Sequence, residues 1–152
     1  MTVPGIVRAL EQAESYREAA AAASSDLSLS VVDGLDAPVI AGLLERRRSG
    51  GAPGAVLVIA PTGRRAESLG PALDAVLPGA QVLHLPAWET LPHERLSPSA
   101  ETVGRRLDVL RRVAAWDGTH PLVVTASVRG AVQPLAAGLT DLEPIQIGRA
   151  HV

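Results

Sequence analysis

The chain has 152 residues, 47% of them hydrophobic and 20% charged, which is enough for one domain that buries roughly 70% of its unfolded surface. Its 14 basic residues, all arginine, and 16 acidic residues give a net charge of -2, too weak a field to hold a polyanion by itself. Because there is no lysine and no cysteine, the sequence excludes a Walker lysine, a Schiff-base amine, a thiol nucleophile and a thiolate metal site.

The first residues of the sequence do not have the pattern of a targeting signal. The opening MTVPGIVRALEQ lacks the charged start and the apolar core of a signal peptide. No apolar run approaches the ~20 residues that cross a bilayer. We therefore expect a cytoplasmic protein with no membrane contact.

The first third of the chain predicts a helix, a strand and a second helix. Apolar residues at helical spacing predict a helix over 5–23, which we assign to an N-terminal segment 1–26. Alternating leucine, serine and valine over 27–31 predict an edge strand. Asp36 is then expected to cap a helix that extends to residue 48, with Pro38 in its first turn.

From residue 55 onward, apolar runs alternate with helical patterns. The predicted strands are 55–59, 81–85 and 122–125, and the predicted helices are 62–77 and 97–116. Apolar runs without alternation are typical of strands covered on both faces, and their alternation with helices is typical of βαβ units. The sequence predicts a three-layer α/β fold whose mostly parallel sheet has four or five strands, within a unit spanning 27–146.

The helix over 97–116 has a predicted cap, a buried side and an exposed side. Ser97 is expected at the N-cap and Pro98 at the first helical position. The buried stripe is expected to comprise Val103, Leu107, Leu110 and Ala114. The arginines at 105, 106, 111 and 112 are expected on the exposed side, where Glu101–Arg105 and Asp108–Arg112 have i,i+4 spacing.

No familiar catalytic or metal-binding motif is complete. His93 and Glu94 begin like a zincin helix, but Ser97 stands where the second histidine is required. Ser127 lies in only a loose likeness of a nucleophile elbow and is expected to be a helix N-cap. No G-x-G-x-x-G follows a strand. We therefore assign no catalytic residue and no metal ligand.

Aliphatic residues replace the phosphate-binding groups of a P-loop after the first predicted strand. A P-loop has Gly, four residues, then Gly-Lys-Ser/Thr, whose amides, ammonium group and hydroxyl hold phosphates and magnesium. Here Gly34 begins the loop, and Val39, Ile40 and Ala41 occupy the last three positions. Pro38 also removes one amide. The segment predicts a degenerate Walker A without cofactor binding.

The motifs PAWETLP, SPS, RLDVLRR and VVTASVR, in this order, resemble the amino-terminal region of the bacterial transcription-repair coupling factors, the Mfd family. The resemblance extends from about residue 27 to 145. It implies the first UvrB-like subdomain, similar to domain 1a of UvrB, in which a helicase-like fold carries a degenerate ATPase motif. Trp88 and Pro92, within PAWETLP, and Arg129, within VVTASVR, are expected to be packing and capping positions.

The resemblance implies that the parent protein is an ATP-driven double-stranded DNA translocase. Such a protein uses ATP and magnesium, displaces stalled RNA polymerase and recruits UvrA. This part of it would be a monomeric scaffold without cofactor. Separately, residues 147–152 look like one reading frame of a sequencing adapter, so we expect them to be a non-native tail. UvrB itself would need an intact P-loop and a long hairpin after the third strand. A stand-alone protein-binding module, a fragment of a UvrB-type excision repair subunit and a nucleotide-binding enzyme fragment remain alternatives.

Overall fold

The computed structural model describes residues 4–22, 26, 28–32, 34–90, 97–135 and 138–139. In chain order its elements are α1 (Pro4–Gln12), α2 (Glu14–Ala22), α3 (Asp36–Ser49), β1 (Ala55–Ala60), α4 (Gly63–Val76), β2 (Gln81–Leu85), α5 (Ala100–Ala114), β3 (Leu122–Ser127) and α6 (Val128–Val132). No helix in these ranges is both long and apolar enough to cross a bilayer.

The described strands form one parallel sheet in the order β1-β3-β2. Val123 at the centre is in register with Val56 on one side and Val82 on the other. The α/β class and the parallel sheet are thus confirmed, but the described residues form three strands rather than four or five. Residues 28–31 of the predicted edge strand 27–31 are not a strand, because they pair with no strand of the described sheet. Leu27 lies outside the described residues.

The core has one apolar cluster on each face of the sheet, as a three-layer fold requires. Val123 packs in a cluster with residues of α3 and α4, whereas its neighbour Leu122 packs with Leu83 and Val109 of α5. Successive residues of a strand point to opposite faces. Helices α3 and α4 therefore cover one face, and α5 covers part of the other.

Helix α4 joins all three strands to the outer helices. Its residues Leu69 and Leu73 are buried, as is Leu77 just after the helix, and Leu73 is 0% exposed. Thr62 is the N-cap, and its hydroxyl accepts a hydrogen bond from the Arg65 amide at 3.2 Å. The helix contacts β1, β2, β3 and α3, so it fixes the sheet relative to the N-terminal helices.

The predicted single N-terminal helix is instead two helices. The chain turns at Ala13, whose amide donates to the Leu10 carbonyl at 3.0 Å, and α2 begins at Glu14. Tyr16 of α2 lies so close to α3 that a Cβ at Gly42 would be 2.2 Å from the Tyr16 hydroxyl oxygen. A side chain at position 42 would therefore displace the Tyr16 ring from its place against α3.

Helix α5 differs from its prediction at its start and on its buried side. Ser99, not Ser97, is the N-cap, with its hydroxyl accepting from the Thr102 amide. The buried residues are Thr102, Arg106 and Val109, whereas Val103, Leu107 and Leu110 are only partly buried and Ala114 is exposed. The buried face is therefore rotated by about one residue. The ion pairs Glu101–Arg105 and Asp108–Arg112 are confirmed, at 2.6 and 3.6 Å.

Candidate functional site

The segment predicted as a degenerate Walker A forms a turn and a helix start. Gly34 has a φ of +89°, a left-handed conformation that favours glycine. Asp36 was expected at the N-cap of α3, but it is the first helical residue, and Leu35 occupies the cap without a side-chain hydrogen bond. Pro38 is buried in the first turn. The turn and the helix match the expectation, whereas no described residue before them forms the strand.

The side chains of this turn are apolar except for that of Asp36, whose carboxylate is paired. Ala41 is 0% exposed in the core, while Val39 and Ile40 line a cavity of about 320 Å³. The Asp36 carboxylate accepts a charged hydrogen bond from Arg65 of α4. The Val39 amide donates to the Leu35 carbonyl at 3.0 Å. At this turn the cavity is therefore lined by methyl groups and by a carboxylate that is already paired with Arg65. A P-loop has a lysine and free backbone amides at the same place.

A second cavity, of about 450 Å³, lies where the carboxyl ends of the three parallel strands meet. Open α/β sheets commonly hold their ligands at this edge. The lining residues come from the strand ends, from the start of α4 and from the loop after β2: Pro61, Thr62, Gly63, Glu67, His84, Pro86, Ala87, Trp88, Glu89, Ser127 and Arg129. We call this cavity the carboxyl-end cleft.

The hydroxyl groups of the carboxyl-end cleft cap helices. Ser127, 4% exposed, accepts a hydrogen bond from the Gly130 amide at 3.0 Å. The predicted N-cap role of Ser127 is thus confirmed, and Thr62 has the same role at α4. A hydroxyl whose lone pair holds a helix amide, with no described base bonded to it, is a structural group rather than an activated nucleophile.

His84 is the imidazole of the cleft, and its ring is held by β3. Its Nδ1 lies 3.1 Å from the Thr125 hydroxyl oxygen. Burial lowers the pKa of His84 below its usual value, and Glu67 opposes this effect. His84 is therefore held towards its neutral form. This contact could not be predicted from the sequence, because Thr125 lies in an apolar run on another strand.

The loop after β2 is fastened to α5 through a buried arginine. Arg106 is 1% exposed, its guanidinium lies 4.5 Å from the Trp88 ring centroid, and one of its terminal nitrogens donates to the Pro86 carbonyl at 2.5 Å. The expectation that Arg106 lies on the exposed side is wrong. Its long side chain extends beneath the loop, where it contacts the Trp88 ring and bonds to the Pro86 carbonyl. The packing role of Trp88 agrees with its prediction.

Arg129 and Gln133 hold the same loop from the other side. A terminal nitrogen of Arg129 lies 3.4 Å from the Glu89 carbonyl oxygen and 3.5 Å from that of Thr90. The Gln133 side-chain oxygen accepts from the Trp88 amide at 2.7 Å. Arg129 thus has the capping contacts expected of it. Pro92, His93 and Glu94 lie outside the described residues.

The Glu89 carboxylate holds the start of α5. It accepts hydrogen bonds from the Ser99 hydroxyl at 2.6 Å and from the Thr102 hydroxyl. These bonds, that of Ser99 first, lower the pKa of Glu89 from its ordinary value of 4.5 to about 2. The motif PAWETLP gave no sign of this role, because the partners of Glu89 lie ten and thirteen residues later.

A pH titration tests the Glu89 contact. A carboxyl whose pKa is lowered by folding stabilises the fold above its unfolded pKa, and this contribution is lost as the pH falls through the folded value. We expect the melting temperature of the wild type to fall more than that of Glu89→Gln between pH 4.5 and about 2. Calorimetric melting of both proteins measures this, and parallel curves would contradict the contact.

No three histidine, aspartate or glutamate side chains come together as possible metal ligands anywhere in the described ranges. The described acidic groups near the carboxyl-end cleft include Glu67, beside His84, and Glu89, which is engaged by two hydroxyls.

Comparison with known proteins adds a family resemblance. No protein-family model matches the chain. It is 48% identical over 98 residues to the transcription-repair-coupling factor of Mycobacterium bovis, and the same values hold for that of Mycobacterium tuberculosis. The match covers 62% of this chain but only 8% of each relative. The resemblance to transcription-repair coupling factors indicated by the motifs is therefore confirmed over these 98 residues.

Proposed function

We propose that this chain serves transcription-repair coupling as one part of a longer protein, in which it is a non-catalytic scaffold. The observation that carries the proposal is the 48% identity over 98 residues to two transcription-repair-coupling factors. The chain spans about 8% of the length of these relatives. The activity of the whole protein therefore depends on residues outside the matched segment.

The residues at the degenerate Walker A support a scaffold role. A magnesium–triphosphate needs a cation, free amides and a hydroxyl at such a turn. Here Asp36 places a negative charge beside Val39 and Ile40, and Arg65, the cation that lines the same cavity, is paired with Asp36. These residues do not fit the ligand. The ATP and magnesium implied by the resemblance belong, in our proposal, to other domains of the parent protein.

The carboxyl-end cleft supports the same role. Ser127 and Thr62 are used as helix caps, and Glu89 and Arg129 hold the loop after β2. The side chains expected to do chemistry at this edge of an α/β sheet are thus engaged in holding the fold. The proposed parent is an ATP-dependent translocase on double-stranded DNA whose partners are RNA polymerase and UvrA.

An RNA polymerase release assay tests the proposed function. RNA polymerase is stalled on linear duplex DNA by omission of one nucleotide, and the full-length product of the gene is added with ATP. We expect release of the transcript with ATP and none without it. The 152-residue chain alone is the matched control and should release none. Polymerase that stays in place with the full-length protein and ATP would overturn the proposal.

A further inference from the structure

The outer edge of β1 has hydrogen-bonding groups that no described strand uses. The Leu122 amide donates to the Gly54 carbonyl at 2.7 Å, and Ala55 is in register with Leu122. Parallel ladders use alternate residues. Residues 54, 56, 58 and 60 therefore bond to β3, and the amides and carbonyls of Ala55, Leu57 and Ile59 point away from the sheet. A row of such groups is a template for another strand.

The side chains at this edge are apolar and open. Leu57 and Ile59 are 55% and 52% exposed, although they lie on the same face as Leu83 and Leu122, which are 4% and 2% exposed beneath α5. Among the described residues, helix α5 packs on β2 and makes few contacts with β1. Adjacent exposed apolar side chains on an unpaired edge are a feature that proteins normally cover.

The cavity of about 320 Å³ lies beside this edge. It touches both Val58 and Ile59, whose side chains point to opposite faces of β1. A cavity in contact with both lies at the edge of the strand rather than over one face. Leu29 and Val31, which are outside the sheet, and Ile40 of α3 also line it. We call this space the edge slot.

We propose that the edge slot receives an extended segment of polypeptide, with apolar side chains at alternate positions, from the part of the parent protein outside these 152 residues. The inserted strand would bond to Leu57 and Ile59 and cover their side chains. This inference rests on the proposed function, because it needs a longer protein, and the matched segment makes up only 8% of each relative.

The geometry favours such a segment over a second copy of this chain. In a symmetric pair, β1 of one copy would enter the slot of the other together with its own flanking residues Leu29 and Val31. Both copies would then place those residues in the same space. A single extended segment meets the backbone groups on one side and the apolar wall on the other without this conflict.

Photo-crosslinking in the full-length protein tests the proposal. A photoreactive benzoylphenylalanine replaces Leu57, and mass spectrometry identifies the peptide that is captured. We expect one peptide from beyond residue 152 with apolar residues at alternate positions. The control places the same group at Val113, which is 39% exposed on α5, and should not capture that peptide. Capture only within residues 1–152 or by a second copy, no capture at position 57, or a gene product that ends at residue 152 would each overturn the proposal.

Amide exchange provides a second readout that does not depend on the substitution. The Leu57 and Ile59 amides should exchange about a hundredfold more slowly in the full-length protein than in the 152-residue chain, because only there is the edge paired. The Val56 and Val58 amides, bonded to β3 in both, should change far less. Equal exchange of Leu57 in both proteins would contradict the insertion. The release assay reports separately on the proposed function, so either idea can fail without the other.

Discussion

Replacing Arg106 with alanine should lower the free energy of unfolding by about 3 kcal/mol, because the change leaves a cavity and removes a cation–π contact. The Arg106 side chain is buried, its guanidinium lies 4.5 Å from the Trp88 ring centroid, and it satisfies the Pro86 carbonyl. Alanine retains none of these contacts. Urea denaturation followed by tryptophan fluorescence measures the loss, and Trp88 should also become more exposed to quenchers.

A second variant separates packing from charge at this position. The Arg106 Nε and one terminal nitrogen have no hydrogen-bond partner, and burying unpaired polar groups costs stability. Arg106→Met retains much of the packing and removes these groups, so it should be less destabilising than Arg106→Ala. Arg105→Ala, at an exposed ion pair with Glu101, is the control and should change stability by at most about 1 kcal/mol. An Arg106→Ala protein as stable as the control would contradict the buried contact.

Replacing Leu73 with alanine should lower the free energy of unfolding by about 3 kcal/mol, the usual cost of a large cavity in a packed core. Leu73 is 0% exposed in the cluster that joins α3 and α4 to Val123 at the centre of the sheet. Its loss weakens the contact between the helical layer and all three strands. Chemical denaturation of the 152-residue chain measures the change.

Leu135 provides the matched control for Leu73. It is 50% exposed, so Leu135→Ala removes the same methyl groups without opening a core cavity and should change stability by less than about 1 kcal/mol. If the two variants were equally stable, the assignment of Leu73 to the core would be wrong.

The parallel sheet could be predicted because its strands are apolar on both faces. Residues 55–60 form a continuous apolar run, and 81–85 and 122–127 are largely apolar, a pattern typical of strands covered on both faces. In the described residues β3 fits this pattern, whereas β1 is open on one face at Leu57 and Ile59. The segment over 27–31 has an equally clear alternation of apolar and polar residues. Alternation is a property of one segment, however, whereas a strand needs a second segment with which to pair. The sequence contains no local signal for the missing neighbour, so the described residues 28–32 are not a strand.

The orientation of α5 could not be predicted from apolar spacing. A stripe of aliphatic residues predicted that Val103 and Leu107 face the core, but the buried positions are Thr102, Arg106 and Val109. Two of these buried residues are polar because each has a specific partner: Thr102 bonds to Glu89, and Arg106 contacts the Trp88 ring. Hydrophobic periodicity does not detect a polar residue that is buried by a specific partner.

The candidate site could be predicted in part. The N-cap role of Ser127 could be predicted because this residue lies between a strand and a helix. The loss of the phosphate-binding groups could be predicted because residues 39–41 are aliphatic. The pairing of Asp36 with Arg65 depends on how α3 packs against α4, which no local pattern encodes. The same is true of His84 and Thr125, which come from neighbouring strands.

Calorimetric titration of the 152-residue chain with magnesium-ATP tests the central claim most directly. The claim is that the turn from Gly34 to Ala41 retains a loop-and-helix geometry without the chemistry that holds a triphosphate. We predict no saturable heat with magnesium-ATP, in a protein whose cooperative melting shows that it is folded. Saturable heat that Asp36→Ala or Arg65→Ala alters would place the nucleotide at this turn and contradict the scaffold account.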